Sequence, residues 1–435
     1  MVTSGRWACH ADRIFDGETV RNGAAVLIEG DTILDLLPVA EIPRGIPVLP
    51  APGCTILPGL IDLHTHFMRW EGPLYLACGV TAVRDTANPL DWILARREES
   101  RREPWPRIFC TSPALDGPVA HWPELSWACA DEADARRKVE MLADAGVDGI
   151  KLYVRLPGEW IPGMVETAHN AGLPVMQHCS AGVLAPARAG IDEFFHLDGL
   201  LPDIWPDCPH GGWLEIWGRE GFEGTLDRQQ QVADEITLLG LITTPTITVW
   251  DWFRRWRCRE QPLPEDAPFL PRMLIEWFTL GEARPEQEEL WARAIERALR
   301  FLGLLIERGA PILPGTDVPW TYHLPGHMLW RELAFLTAAG MTPLDALRAA
   351  TAGAARALRA DRLGRLAPGC LADLVIVAGD PTQQIPDRPA VTHVVKGGQV
   401  YDPTELLSSA KEATYDLETE PLGQAFKRYF GEGNA

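Results

Sequence analysis

The chain is 435 residues long, enough for one large catalytic domain and a smaller companion. With 46% hydrophobic and 23% charged residues it has the make-up of an ordinary globular protein, which excludes a disordered or fibrous chain. A formal net charge of −20 argues against nucleic acid and anionic membranes as partners, since both would repel it, and leaves a small molecule as the expected partner.

The first residues, MVTSGRWACHADRIFDGE, lack the basic head and apolar run of a secretory signal, and no stretch of 18 apolar residues follows. Nine cysteines without a CxxC pair suit reduced thiols, so a cytoplasmic location is expected. Alternation through Ala24-Ala25-Val26-Leu27-Ile28, a turn at Glu29-Gly30-Asp31 and then Thr32-Ile33-Leu34 predict a hairpin. From about residue 58 to 365 the texture changes. Short apolar or β-rich runs fall at 60–65, 80–84, 107–111, 149–153, 174–178, 191–196, 241–246 and 311–316. That is eight, the number a (β/α)₈ TIM-type barrel requires, which sets the fold class as α/β. Amphipathic helices are predicted between them, among them 132–145 and 164–171, and a helix over 343–359 that Thr342 caps and Pro343 opens. Residues 197–235 and 247–285 are rich in Trp, Pro and Gly and read as long loops near the site. Strand texture returns in Ala372-Asp373-Leu374-Val375-Ile376-Val377 and in a hairpin over 392–400 with a Gly397-Gly398 turn. Strand-rich ends around a different middle predict one small β domain assembled from 1–57 and 366–435, flanking a catalytic barrel over 58–365.

The strongest local signal is Pro58-Gly59-Leu60-Ile61-Asp62-Leu63-His64-Thr65-His66. Residues two apart on a strand face the same way, so His64 and His66 can grip one ion from one side. Imidazole suits zinc and similar borderline metals. Alone, an HxH pair is more often structural; its place after a Pro-Gly turn, at the end of the first predicted barrel strand, raises its standing. Lys151 lies in an apolar strand, Gly149-Ile150-Lys151-Leu152-Tyr153, where an unpaired charge is costly to bury, although a snorkelling lysine fits too. His178 and His196 end their strands and could equally be satisfied core histidines; Asp317 ends Ile312-Leu313-Pro314-Gly315-Thr316-Asp317 and could be a turn residue or helix cap. Their joint occurrence at the carboxyl ends of predicted strands one, four, five, six and eight points to one site.

These segments resemble the amidohydrolase superfamily, in its imidazolonepropionase-like and prolidase-like branch. PGLIDLHTHF is similar to the first-strand motif, GVTAVRDTAN to the second-strand segment and GTDVPW to the eighth-strand aspartate motif. MTPLDALRAATAGAARAL with LGRLAPGCLADLVIVAGDP resembles the closing helix and the return to the β domain, and RIFDGETVRNGAAVLIEGDTI the N-terminal half of a β-sandwich. The likeness spans nearly the whole chain and is weakest across 200–310. It implies a barrel with a small β-sandwich from both termini, a homo-oligomer of unstated subunit number, and two divalent metal ions, zinc first among them. By position, His64 and His66 would hold the more buried ion, His178 and His196 the second. Lys151, carboxylated by carbon dioxide, would bridge both, and Asp317 would contact the first ion. The implied activity is hydrolysis of an amide-type C–N bond by a metal-bridging hydroxide, with Asp317 as base and then acid. The same centre would serve a lactone, carbamate, urea or phosphotriester. A single-metal deaminase or imidazolone-type hydrolase is less expected, because those relatives lack the bridging lysine, and a scaffold without catalysis would have lost ligands first. Two departures are visible: Trp330 stands where many relatives carry a histidine, and His178-Cys179-Ser180 where HAH is frequent.

Substrate-binding candidates follow from the barrel, whose strand-end loops line the pocket. They are Tyr153, Arg155, Trp320, Tyr322 and His323, with His210 and several loop tryptophans. Tyr153 shares a strand face with Lys151 and is placed to polarise a carbonyl; Arg155, nearer the rim, is placed to pair with a substrate carboxylate. Aromatic walls favour a bulky or flat group. The expected substrate is an N-acyl amino acid, a dipeptide or an aryl amide; the bland alternative is a surface ion pair for Arg155 and tryptophans that only pack a lid.

Overall fold

The computed structural model describes residues 5–111, 113–208, 213–277, 284–412 and 417–431. The hairpin near the start forms, with Ala24–Glu29 pairing antiparallel to Thr32–Pro38 and Glu29 opposite Thr32. Both ends of the chain enter one eight-stranded sheet. Val48–Pro58 runs parallel to Arg6–Phe15 on one side and antiparallel to Leu374–Ala378 on the other, and Val391–Lys396 and Gln399–Tyr401 continue the sheet outward. One face buries Trp7, Cys9, Val26, Ile28, Ile56 and Ile376, the alternation expected where a sheet has one packed side.

Between these ends, parallel strands alternate with helices. Leu60–Thr65, Val80–Asp85 and Arg107–Cys110 form one parallel sheet. Ala114–Asp116, Ser126–Ala128, Ile150–Leu152, Val175–His178, Glu193–Phe195 and Ile242–Thr244 form another. Every residue of Leu60–Thr65 and Val80–Asp85 is buried, as befits strands covered on both faces. The two sheets touch at both margins. Asp148 donates its backbone N–H to Cys110 at 2.7 Å, while Thr243 bridges to Ile312 and Thr65 to Val318.

Several expectations need correction. Residues 311–316 form no regular strand, only the bridge at Ile312, because Pro311 and Pro314 have no N–H to give a ladder. Ala114–Asp116 and Ser126–Ala128 were not anticipated. The two stretches read as loops are largely helical: Leu226–Leu239 begins in the first and runs past its end, and Ile247–Arg257 lies in the second. The predicted helix 343–359 is broken into Pro343–Arg348, a π turn at Ala349–Gly353 and Ala354–Ala357, with Thr342 capping as expected through Asp345 N at 3.1 Å. No helix among the described residues is long and apolar enough to cross a membrane.

Candidate metal centre

His64 ends the first strand of the parallel set with no exposed surface, and its neighbour on the same face, His66, opens onto a cavity. Both reach Asp317: His64 Nε2 lies 3.3 Å and His66 Nε2 3.0 Å from the same oxygen, Oδ1. The chain around Asp317 is held against His64, whose carbonyl accepts from Thr316 N at 3.2 Å and Asp317 N at 2.7 Å. Gly315 makes this approach possible, since a Cβ there would sit 2.6 Å from His64 Cβ. Beneath, the Asp62 carboxylate accepts from the Thr316 hydroxyl at 2.6 Å; burial pushes its pKa up to about 7.

The remaining candidates converge from three further strands. The His196 ring centroid is 4.9 Å from that of His64 and 4.3 Å from that of His178. His196 Nδ1 and the Thr246 hydroxyl are 2.6 Å apart, and His66 Nδ1 lies 3.3 Å from the Ala87 carbonyl. Such partners orient imidazoles and leave the opposite nitrogen facing inward. Lys151 is 1% exposed, its Nζ 5.3 Å from the Phe195 ring and 5.4 Å from that of Tyr153. Burial lowers its pKa to about 8, against the opposing pull of Asp317 and Asp85. His196 and Asp317 both hold positive φ, 63° and 59°, a left-handed conformation that a non-glycine residue adopts at a cost and that clusters at functional sites.

Burial holds His64 and His196 well below the usual imidazole pKa, so both are neutral, the form that binds metal. Burial alone would raise the Asp317 pKa, but the imidazoles of His64 and His66 beside its Oδ1 outweigh that and hold the carboxyl well below the usual carboxylate range. Among the described residues, His64, His196 and Asp317 are the set whose ligand atoms all lie within 4.8 Å of one another. Both ring nitrogens of His64 and Oδ1 of Asp317 are buried without a hydrogen-bond partner. Neutral imidazoles and a carboxylate, orphaned and facing each other, fit a divalent cation.

The cluster floors a cavity of about 470 Å³, lined by His66, Lys151, Tyr153, His178, His196, Asp317 and Trp320 among the sequence candidates. Three substrate-binding candidates lie off it. Arg155 is exposed, its backbone N–H held by Asp116 at 2.8 Å and its guanidinium turned toward the Val119 carbonyl at 3.4 Å. Tyr322 is buried in packing beside Trp252. His323 Nδ1 is 3.1 Å from the buried Asp266, which Arg388 also grips with two hydrogen bonds of 2.7 and 2.8 Å. His210 lies outside the described residues.

Other lining residues were missed: His121 and Trp122, Asp198, Trp291, and Leu422 and Phe426 from the far C-terminus. Asp198 follows His196 by two residues and comes within 3.5 Å of His178 Nε2, so its spacing was a usable signal. Leu422, Ala425 and Phe426 carry the i, i+3, i+4 pattern of an amphipathic helix. Nothing local in His121-Trp122 pointed to the cavity.

Residues 292–402 match the Amidohydrolase family. The Aspergillus niger ochratoxinase is 34% identical over 139 residues, a match that takes in 30% of this chain and spans only 28% of that protein's length. The imidazolonepropionase of Geobacillus kaustophilus is 42% identical, with 89% of this chain and 92% of that protein covered. The fold is shared with a crystal structure of a Xaa-Pro dipeptidase with methionine bound in its active site: TM-score 0.68 at 21% identity, covering 92% of this chain and all of that one. The 42% identity with the imidazolonepropionase, running along about nine-tenths of both chains, leaves one conclusion: this chain belongs to the amidohydrolase family.

Proposed function

We propose that the chain is a binuclear metal-dependent hydrolase that cleaves an amide-type C–N bond in a substrate with one aromatic or bulky apolar side. The observation that carries this is the orphaned cluster of His64, His196 and Asp317 beneath a cavity, with His66, His178 and Lys151 around it. In this reading the eight parallel segments close into a barrel over 58–365, and the sheet from 1–57 and 366–435 is a separate small domain. His64, His66 and Asp317 would hold one ion; His178 and His196 would hold the other, with Lys151, carboxylated by carbon dioxide, as an anionic donor between them. Divalent ions there, zinc being well suited to imidazole, would supply Lewis-acid polarisation of water and of a substrate carbonyl.

The chain's own groups do the rest. Asp317, held as a carboxylate, takes a proton from attacking water and passes it to the leaving nitrogen. Tyr153 lines the cavity next to His178, with 5.4 Å between ring centroids, where its hydroxyl can donate to the substrate carbonyl. Arg155 lies outside the cavity, whereas Arg257 lines it and would be the guanidinium placed to meet a substrate carboxylate.

A second reading is a single-ion hydrolase of a cyclic amide. It is favoured by the likeness to an imidazolonepropionase and by the convergence, among the described residues, of a single three-residue set of ligand atoms within 4.8 Å. Elemental analysis of active enzyme separates the two. Two ions per chain, with activity lost on chelation and restored by zinc, cobalt or manganese, supports the binuclear centre. One ion per fully active chain selects the second reading, and metal-independent activity removes both.

A further inference from the structure

The helix Pro421–Gly431 lies beyond the β domain in sequence and beyond the stretch that matches the family, yet it returns to the mouth of the cavity. Its apolar face is buried, with Leu422, Ala425 and Phe426 each at most 3% exposed. Two ion pairs seat it. Just before the helix, Glu420 accepts from the backbone N–H of Arg69 at 3.2 Å and from its Nε at 2.9 Å. Near its end, Arg428 makes a two-pronged contact with Glu124, at 2.5 and 3.0 Å. Arg69 follows the first strand of the parallel set and Glu124 precedes Ser126–Ala128, so the helix is pinned to two sides of the site.

Among the described side chains, Phe426 is the ring this helix presents. Its centroid is 4.9 Å from Trp320 at an interplanar angle of 59°, and 6.3 Å from Trp122 at 76°. All three rings line the cavity. From Trp122 the ring contacts continue through His121, at 5.8 Å, to Tyr153, at 6.0 Å, whose centroid is 5.4 Å from that of His178. The three-ring wall is thus joined to the candidate metal ligands through His121 and Tyr153. Rings set at steep angles to each other offer both faces and edges, the arrangement that an inserted aromatic ring meets by edge-to-face and offset contacts.

We propose that the C-terminal helix builds the specificity pocket of this enzyme, and that Phe426 with Trp122 and Trp320 selects a flat aromatic group on the substrate. This rests on the cavity being the substrate site, as the proposed function has it. The test uses ligands that cannot be hydrolysed. Calorimetric titration of the metal-loaded enzyme with 3-phenylpropionate and with propionate should show the phenyl compound binding at least about tenfold more tightly. In Phe426→Ala the preference should fall to about threefold or less, with metal content unchanged. Phe426→Leu, which keeps most of the buried volume, should lose preference in the same direction and covers the case in which the alanine variant does not fold. A wild-type enzyme without preference, or a Phe426→Leu enzyme with the full preference, would overturn the pocket. If the preference is present but no amide is turned over, the pocket stands and the hydrolase reading fails.

Discussion

Gly315→Ala is the most informative single perturbation, because it adds one methyl group between the strand of His64 and the segment of Asp317 at the candidate metal centre. The new Cβ would lie 2.6 Å from His64 Cβ, 2.7 Å from Thr244 Cγ2 and 2.9 Å from His64 N. Carbon atoms in ordinary contact are about 3.5–4.0 Å apart, so the strand bearing His64 and the segment bearing Asp317 must separate by about 1 Å. None of the three atoms is the far end of a flexible side chain. Overpacking of this kind costs about 1–3 kcal/mol. For a chain of this length, with about 2 cal/mol/K of unfolding entropy per residue, that is a loss of only about 1–3 °C in Tm. The functional cost should be far larger. Asp317 is placed by its backbone hydrogen bond to the His64 carbonyl, 2.7 Å long, and a misplacement of about 1 Å in a catalytic group costs on the order of a hundredfold in rate. The assay is therefore a pair of measurements on one preparation: thermal unfolding, and metal content with kcat/KM on the best amide from a substrate screen. A small drop in Tm with a large drop in metal occupancy and turnover is expected. If Tm falls while metal content and kcat/KM stay at wild-type values, His64 and Asp317 do not form the centre described.

Three further outcomes are expected. Lys151→Ala should lose activity and most of the second ion, and bicarbonate should assist reconstitution of the wild type with metal; a fully active variant returns Lys151 to a packing role. Asp317→Asn should fold and lose about two to four orders of magnitude in kcat, the range for a missing acid–base group, so turnover within a few-fold of wild type would assign the proton transfer elsewhere. Asp266→Asn should destabilise the protein at neutral pH by about 1–3 kcal/mol, discounted because Arg388 is 35% exposed. Burial opposes the Asp266 carboxylate, but His323 and Arg388 outweigh it and lower its pKa. A lowered folded-state value means that stability is present above the ordinary carboxylate value of 3.8 and is lost as pH falls through the folded value. Denaturant titrations of both proteins should therefore converge at low pH; a gap that widens there would reverse the assigned sign.

Local order and the metal cluster differ in how far they could be read without coordinates. The spacing of His64 and His66 determined by itself that both rings share one strand face, because side chains alternate along any strand, and both do reach Asp317 Oδ1. The hairpin at 24–38 and the helix Glu132–Ala145 were equally legible, since turn chemistry and 3.6-residue periodicity are local properties. Tertiary structure alone decided which loop residues face the cavity. Arg155 sits two residues beyond Tyr153, yet its backbone N–H is drawn to Asp116 and its side chain is exposed, while Tyr153 lines the cavity. His323 is taken up by Asp266, 57 residues away, a partner that no local pattern reveals. Strand regularity at 311–316 was lost to Pro311 and Pro314, whose missing N–H groups matter only once a neighbouring strand is there to be paired. The return of Phe426 to the cavity, about 300 residues after Trp122, depends on the C-terminal strands and helices carrying the chain back to the site. Periodicity specifies which face of that helix is apolar; only the folded chain specifies what the face covers.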